Sequence, residues 1–239
     1  MKYMSPANMI TIGATVSGTV ETGYDPNALC DGDPQNPVRT TSTGASFTAV
    51  GNSINGVNGV VLAHTNLDAG INVTIGGGLS GTLVTPIVFG DGIPRNGWKE
   101  VTPANTGTVS ISLAGNSQTV VLGELIAGVL EQVDLLTGAT YHEDDYRMAG
   151  DSVTRRVGYD MGYAARLIDA QMIVTSAQLA SIEAWRRASR QTSRPSVIIP
   201  FEDSNDAILV IWSDYQVQPW EGDYFQVSAS WQELTRTRW

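Results

Sequence analysis

Val57-Asn58-Gly59-Val60-Val61-Leu62-Ala63-His64-Thr65-Asn66-Leu67, residues 57–67, is the stretch on which the fold turns. Val57 to Ala63 is the most apolar short run of the first half. It is too short for an ordinary helix and rich in β-branched residues, so it reads as a central strand. His64, Thr65 and Asn66 then mark the end of that strand. The chain has only one other histidine, His142. A catalytic His64 needs a nucleophile or a metal partner, and neither Gly-x-Ser-x-Gly nor His-Glu-x-x-His occurs. His64 is therefore expected to be a structural residue at the rim of a sheet.

Outward from this strand the same β chemistry repeats. On the N-terminal side, Met9–Ile12 and Thr15–Val20 alternate and carry β-branched residues, so both read as strands. Residues 25–46 hold Asp25-Pro26-Asn27, Asp31-Gly32-Asp33-Pro34 and Asn36-Pro37, which predict a long surface excursion without a helix. Phe47–Val50 resumes extended chain. On the C-terminal side come Ile71–Ile75, a Gly76-Gly77-Gly78 turn, an edge strand over Leu83–Phe89 with Pro86 inside, Val109–Leu113, and Val120–Leu130. Short, closely spaced strands with glycine-rich turns predict an all-β sandwich over residues 1–130.

Residues 131–239 change character. Residues 137–152 are polar and turn-rich, and Val153–Val174 carries two extended patterns. One strong helix signal follows. Thr175 and Gln178 form a capping-box pair, and Leu179, Ile182 and Trp185 make an apolar stripe. Arginines gather toward the C-terminal end, where they oppose the helix dipole, and Pro195 forbids continuation. Strands are expected at Val197–Ile199, Ala207–Trp212 and Tyr224–Trp231, with hairpin-turn chemistry at residues 203–206. The fold class is thus mainly β: a sandwich, then an α+β domain with one main helix on an antiparallel sheet.

Composition narrows the function. Charged residues are 16% of the chain, below the ~25% usual for soluble domains. This suits turn-rich β-structure and a surface partly covered by neighbours. A net charge of −10 argues against binding phosphate backbones, so no nucleic-acid partner is expected. The arginines at 186, 187, 190 and 194 read as a helix face. No signal peptide and no apolar run of membrane length is found, which implies folding in a cytoplasm. Cys30 is the only cysteine, so it forms no internal bridge and is expected to be a small, partly buried residue.

Candidate sites are few. His142-Glu143-Asp144-Asp145 has metal-ligand types, but consecutive residues diverge, so a solvated acidic loop is the expectation. Asp25, Asp31 and Asp33 are weak calcium candidates that lack a bidentate Glu at the right spacing. No catalytic residue and no cofactor is expected. Aromatics crowd the C-terminal third, and Trp220, Arg236, Arg238 and Trp239 are candidates for a subunit interface.

Two resemblances add to this reading. Tyr24-Asp25-Pro26-Asn27-Ala28-Leu29 with Asp31-Gly32, then Pro37-Val38-Arg39-Thr40, Val60-Val61-Leu62 into His64-Thr65-Asn66-Leu67, and Leu122-Gly123-Glu124-Leu125 with Gly128 follow one another in order. In this respect residues 8–130 resemble the discoidin or galactose-binding-like jelly roll. Such modules bind ligands through rim loops, and here loops 25–46 and 90–106 offer Arg39, Arg95 and Trp98 as glycan-binding candidates.

The whole chain resembles a type of tailed-bacteriophage virion protein in which a jelly roll precedes an α+β half. The residues that carry the likeness are Arg166-Leu167, the helix, Arg194-Pro195-Ser196-Val197-Ile198-Ile199-Pro200, and Ser228-Ala229-Ser230-Trp231-Gln232-Glu233-Leu234. The resemblance implies a non-enzymatic part of a tail or neck, made in the bacterial host cytoplasm and built into the virion as a symmetric ring. Its partners would be copies of itself and other tail or neck proteins. The alternative is a carbohydrate-binding module of the tail that contacts a host surface glycan.

Overall fold

A computed structural model gives the fold, and it describes residues 1–11, 13–34, 36–85, 96–145, 164–192, 194–200 and 207–234. For 136–145, 164–166 and 192 the description is of the backbone. The strands of the first half are β1 (Lys2–Met4), β2 (Thr15–Gly18), β3 (Val38–Arg39), β4 (Ala45–Ala63), β5 (Asn72–Gly76), β6 (Gly81–Val84), β7 (Gly97–Leu113), β8 (Val121–Leu122) and β9 (Glu124–Gly128). Then come β10 (Glu131–Gln132), β11 (Leu135–Asp145), β12 (Ala164–Thr175), helix α1 (Ser176–Thr192), β13 (Ser196–Ile199), β14 (Ile208–Pro219) and β15 (Tyr224–Glu233). The described chain is mainly β with one α-helix, the class that its periodicities predict.

The opening stretch is the hinge of the sandwich. Phe47–Val50 and Val57–Ala63, expected as separate strands, are two ends of the single strand β4. Its register against β7 shifts between Val50 and Gly59, which bends both strands together. The N-terminal end of β4 and the C-terminal end of β7 form one layer with β2, β5 and β6. The opposite ends form the second layer, where β4 lies between β7 and β9. Phe47, Val109, Ile111 and Leu83 of the first layer meet Val60, Leu62, Val101 and Leu125 of the second in one buried core.

A seven-stranded antiparallel sheet follows, in the order β10-β1-β13-β14-β15-β12-β11. β1 comes from residues 1–130, yet it is paired inside this sheet between β10 and β13. Side chains alternate across its strands. Met4, Val197, Ile199 and Leu209 point to the sandwich, where they bury Val61, Ala63 and Ile126 of its second layer. Tyr3, Ile198, Ile208, Val210, Ile168, Val227 and Trp231 point the other way, against α1. The order of layers is therefore sheet, sheet, sheet, helix, with a separate apolar core at each junction.

Helix α1 has the termini that its sequence predicts. Thr175 Oγ1 accepts from Gln178 N at 3.3 Å, and Gln178 Oε1 accepts from Thr175 N at 3.0 Å, a reciprocal capping box. Trp185 anchors the inner face. Its ring stacks on Tyr3 at 4.2 Å and meets Trp212 edge-on at 4.5 Å. Its Nε1 donates to Ser196 Oγ at 2.7 Å, so the one polar atom of this buried indole is satisfied.

Several expectations are corrected. Residues 25–46 include a 3-10 helix, Pro26–Cys30, whose Ala28, Leu29 and Cys30 are buried, so this segment is not wholly a surface excursion. Asp25 caps it and Pro26 starts it, the two residue types that favour a helix N-terminus. Met9–Ile12 is no strand among its described residues; Met9 makes an isolated bridge to Gly128. Residues 97–106 are not loop but the first part of β7. Val120–Leu130 is broken into β8 and β9. Residues 137–145 are strand, not turn. The turn predicted at 203–206 lies outside the described residues, as does most of Leu83–Phe89 beyond β6.

Candidate functional site

At the β11 end of the seven-stranded sheet, one face has no apolar layer packed on it among the described residues. Among the described residues the sandwich packs on β1, β13, the start of β14 and Leu234 just after β15. Farther along, the cross-strand rows Asp214–Ser230–Asp169, Gln216–Ser228–Gln171 and Gln218–Gln226–Ile173 lie on the face opposite α1. No layer lies over these rows among the described residues. Ser230 donates to Asp169 Oδ1 within the first row. Among the described residues β11 ends the sheet as an edge strand.

The β14–β15 hairpin turns at Trp220-Glu221-Gly222-Asp223, with Gly222 at φ +58°. Two large aromatics are exposed there, Trp220 at 54% and Tyr224 at 50%. The turn is held by Trp220 N donating to Tyr224 O at 3.0 Å and Tyr224 N donating to Glu221 O at 3.1 Å. The outer face of α1 carries a pocket of about 210 Å³ lined by Glu183, Arg186, Arg187, Arg190 and Gln191. The Arg186 guanidinium sits 4.5 Å over the Tyr215 ring. Burial and the nearby Glu183 carboxylate push the Tyr215 phenol up, and Arg186 works against that shift.

A second constellation lies where the sandwich meets the chain after α1. Glu124, at the start of β9, is only 3% exposed. Its Oε1 accepts from Gly32 N at 3.2 Å, while its Oε2 has no hydrogen-bond partner among the described residues. Burial and the Asp31 carboxylate hold its carboxyl well above the ordinary range, partly opposed by the Gly32 N–H and by Arg194. Arg194 Nη1 donates to Cys30 O at 3.1 Å. Cys30 is buried, and burial pushes its thiol up. Glu124 was missed in the sequence, although a lone acid inside Leu122-Gly123-Glu124-Leu125 is the signal that finds it.

His64 adjoins this junction. It is 5% exposed, so it is not an open rim residue. Its φ of +53° kinks the chain where β4 ends. His64 N donates to Asn96 Oδ1 at 3.0 Å, and Asn96 Nδ2 donates to Ala207 O at 2.8 Å. His64 O accepts from Gly123 N at 3.0 Å. A Cβ on Gly123 would stand 2.6 Å from His64 Cβ, so only glycine fits beside it.

The remaining candidates are dispersed. Arg39 pairs with Glu21 at 3.0 Å on the β3 side of the sandwich. Trp98 lies on β7, half-buried at the junction with the seven-stranded sheet, with Lys2 Nζ 5.9 Å from its ring. The two do not form one site, and Arg95 lies outside the described residues. Asp25 Oδ1 accepts from Asn27 N at 2.9 Å, and Asp31 Oδ1 from Asp33 N at 2.7 Å, so both carboxylates build turns. Among the described residues no three His, Cys, Asp or Glu side chains converge as metal ligands. The backbone of His142, Glu143, Asp144 and Asp145 pairs with Leu167–Ala164, while their side chains fall outside the described set. Arg236, Arg238 and Trp239 also lie outside it. No described helix is long and apolar enough to cross a membrane.

No protein family and no curated protein matches this sequence. Solved structures share a partial likeness. A family 89 glycoside hydrolase from Clostridium perfringens is 15% identical over 51% of this chain and 14% of its own, with a TM-score of 0.37. A CBM32 module produced by Clostridium perfringens, in complex with GlcNAc-α-1,4-galactose, is 13% identical over 53% of this chain and 98% of its own, with a TM-score of 0.35. Chitosan-binding module 1 of a chitosanase/glucanase from Paenibacillus sp. IK-5 is 16% identical over 51% of this chain and 98% of its own, with a TM-score of 0.35. The chain thus spans 14% of the length of the hydrolase. At such scores the likeness carries no argument about function.

Proposed function

We propose that this chain is a non-enzymatic structural subunit of a tailed-bacteriophage tail or neck, and that it works as a symmetric ring of copies. The observation that supports the reading is the seven-stranded sheet, which among the described residues has helix on one face, sandwich on only part of the other, and β11 as its edge. An edge strand is a ready template for another chain, and proteins that leave one available pair it with a neighbour or blunt it. Copies related by rotation bury the same surfaces many times over, so modest contacts add. The sandwich braces the ring through the apolar layer that contains Met4, Ile126 and Leu209. The test is native mass spectrometry with negative-stain imaging of the purified chain. Closed rings of uniform copy number are expected. A monomer at every concentration, undetectable in purified particles, would remove the reading.

A second reading, glycan binding by the sandwich, is favoured by one feature. Tyr24 is 38% exposed beside the Arg39–Glu21 ion pair. Glu21 N donates to Arg39 O at 2.8 Å and Tyr24 N to Glu21 O at 3.1 Å, which hold the three residues together. An aromatic face flanked by charged hydrogen-bonding groups suits a sugar ring. A glycan array separates the readings: binding lost in both Tyr24→Ala and Arg39→Ala supports the second, and a blank array ends it.

A further inference from the structure

The hairpin tip and the arginine pocket are opposite in chemistry. The tip presents Trp220 and Tyr224 with Glu221 and Asp223, all exposed. Among the described residues, the pocket on α1 presents Arg186, Arg187 and Arg190 against a single acid, Glu183. This is a concentrated basic patch in a chain with only 14 Lys and Arg against 24 Asp and Glu. The tip is already ordered by its own backbone bonds, and Ser176 Oγ donates to Asp223 O at 3.5 Å, which ties it to the N-terminal end of α1. A pre-ordered projection loses little entropy on docking. Trp, Tyr and Arg are the residues that dominate interface energetics, and an indole over a guanidinium adds a cation–π attraction.

One copy cannot join its own tip to its own pocket. The tip lies beside Thr175, across from Tyr224 in the sheet, at the start of α1. Arg187 is eleven residues beyond Ser176 on that helix, roughly 16 Å along the axis at 1.5 Å per residue. The two patches therefore face outward as unlike halves of one contact. We propose that the β14–β15 tip of one copy docks on the arginine-lined pocket of the next, a head-to-tail contact that repeats around a ring. The proposal rests on the ring reading and names its interface. Because the patches differ, the contact propagates beyond a dimer and closes only when the rotation returns to the first copy.

Cysteine cross-linking of the full chain tests it. Cys30 is buried, so it does not compete. Glu221→Cys and Arg187→Cys are placed on the same chain, and the protein is oxidised mildly. A ladder of covalent multimers extending past dimer is expected, with each single variant giving none. In parallel, Glu221→Lys with Asp223→Lys, and Arg187→Glu with Arg190→Glu, are each expected to weaken association about tenfold. Combining all four in one chain is expected to restore it. These are surface substitutions, and unchanged thermal unfolding confirms that each variant is folded. If the wild type forms rings but the cysteine pair stays uncrosslinked and charge reversal changes nothing, the tip contact is wrong while the ring stands. Cross-linking that stops at dimer also overturns it. A wild type that never assembles overturns both.

Discussion

Glu124 carries a carboxylate into a core position where one oxygen has no described donor. Its folded-state pKa is raised above its ordinary value of 4.5, chiefly by burial. The folded state then binds more protons than the unfolded one above pH 4.5, so stability falls as pH rises through that window. Glu124→Gln removes the titration and keeps an oxygen for Gly32 N. The melting temperature of Glu124→Gln minus that of the wild type is expected to grow as pH is raised from 5 to 8; parallel curves refute the assignment. Arg194 opposes the Glu124 charge and donates to Cys30 O. Arg194→Met is expected to cost about 1–3 kcal/mol at neutral pH by leaving the Cys30 carbonyl unpaired and the Glu124 charge unopposed. In chemical denaturation the loss should shrink at lower pH, where Glu124 takes up its proton. Cys30, buried and with its thiol pushed up, should resist thiol reagents at pH 8 until the chain unfolds.

Elements differ in how openly the sequence declares them. Helix α1 was legible because Thr175, Gln178, Leu179, Ile182 and Trp185 all signal the same structure at short range. β7 was half hidden. Val109-Ser110-Ile111-Ser112-Leu113 alternates and was read, but Gly97–Thr108 contains Pro103, Gly107 and charged residues and looks like loop. That part is held as strand by pairing with Val50–Leu62, a partner that no local pattern reveals. The packing of α1 rests on Trp185, which touches Tyr3, Trp212, Trp231 and Ser196. Trp185→Ala is expected to cost about 3–5 kcal/mol in denaturant unfolding. A loss under 1 kcal/mol would show that the aromatic cluster does not hold the helix to the sheet.

The molecule as a whole is joined through β1. The seven-stranded sheet takes this strand from the far end of the chain, and Met4 on it seals the layer against the sandwich. Residues 131–239 expressed alone lack it, and β10 and β13 lose their shared neighbour. This fragment is expected to lack a cooperative thermal transition and native near-ultraviolet dichroism from Trp185, and a sharp transition in it refutes the prediction. Gly128 guards the same junction, because a Cβ there would overlap the Asn8 carbonyl and stand 2.8 Å from Met4 Sδ. Gly128→Ala should therefore lower the stability of sandwich and sheet together, seen as one shifted transition.

The sequence by itself determined the β class, the capped helix α1, the apolar strand that ends in Ala63 and the absence of a known catalytic motif. All of these are set by residues within a few positions of one another. Tertiary structure alone decided that β4 and β7 bend to build both layers, that β1 crosses to the second sheet, and that His64 is buried. It also placed Glu124 beside Arg194, and set the Trp220 tip and the Arg187 pocket at different ends of α1. Each depends on contacts between segments distant in sequence, and strand pairing of that kind leaves no local trace because it is chosen by which faces can be buried together.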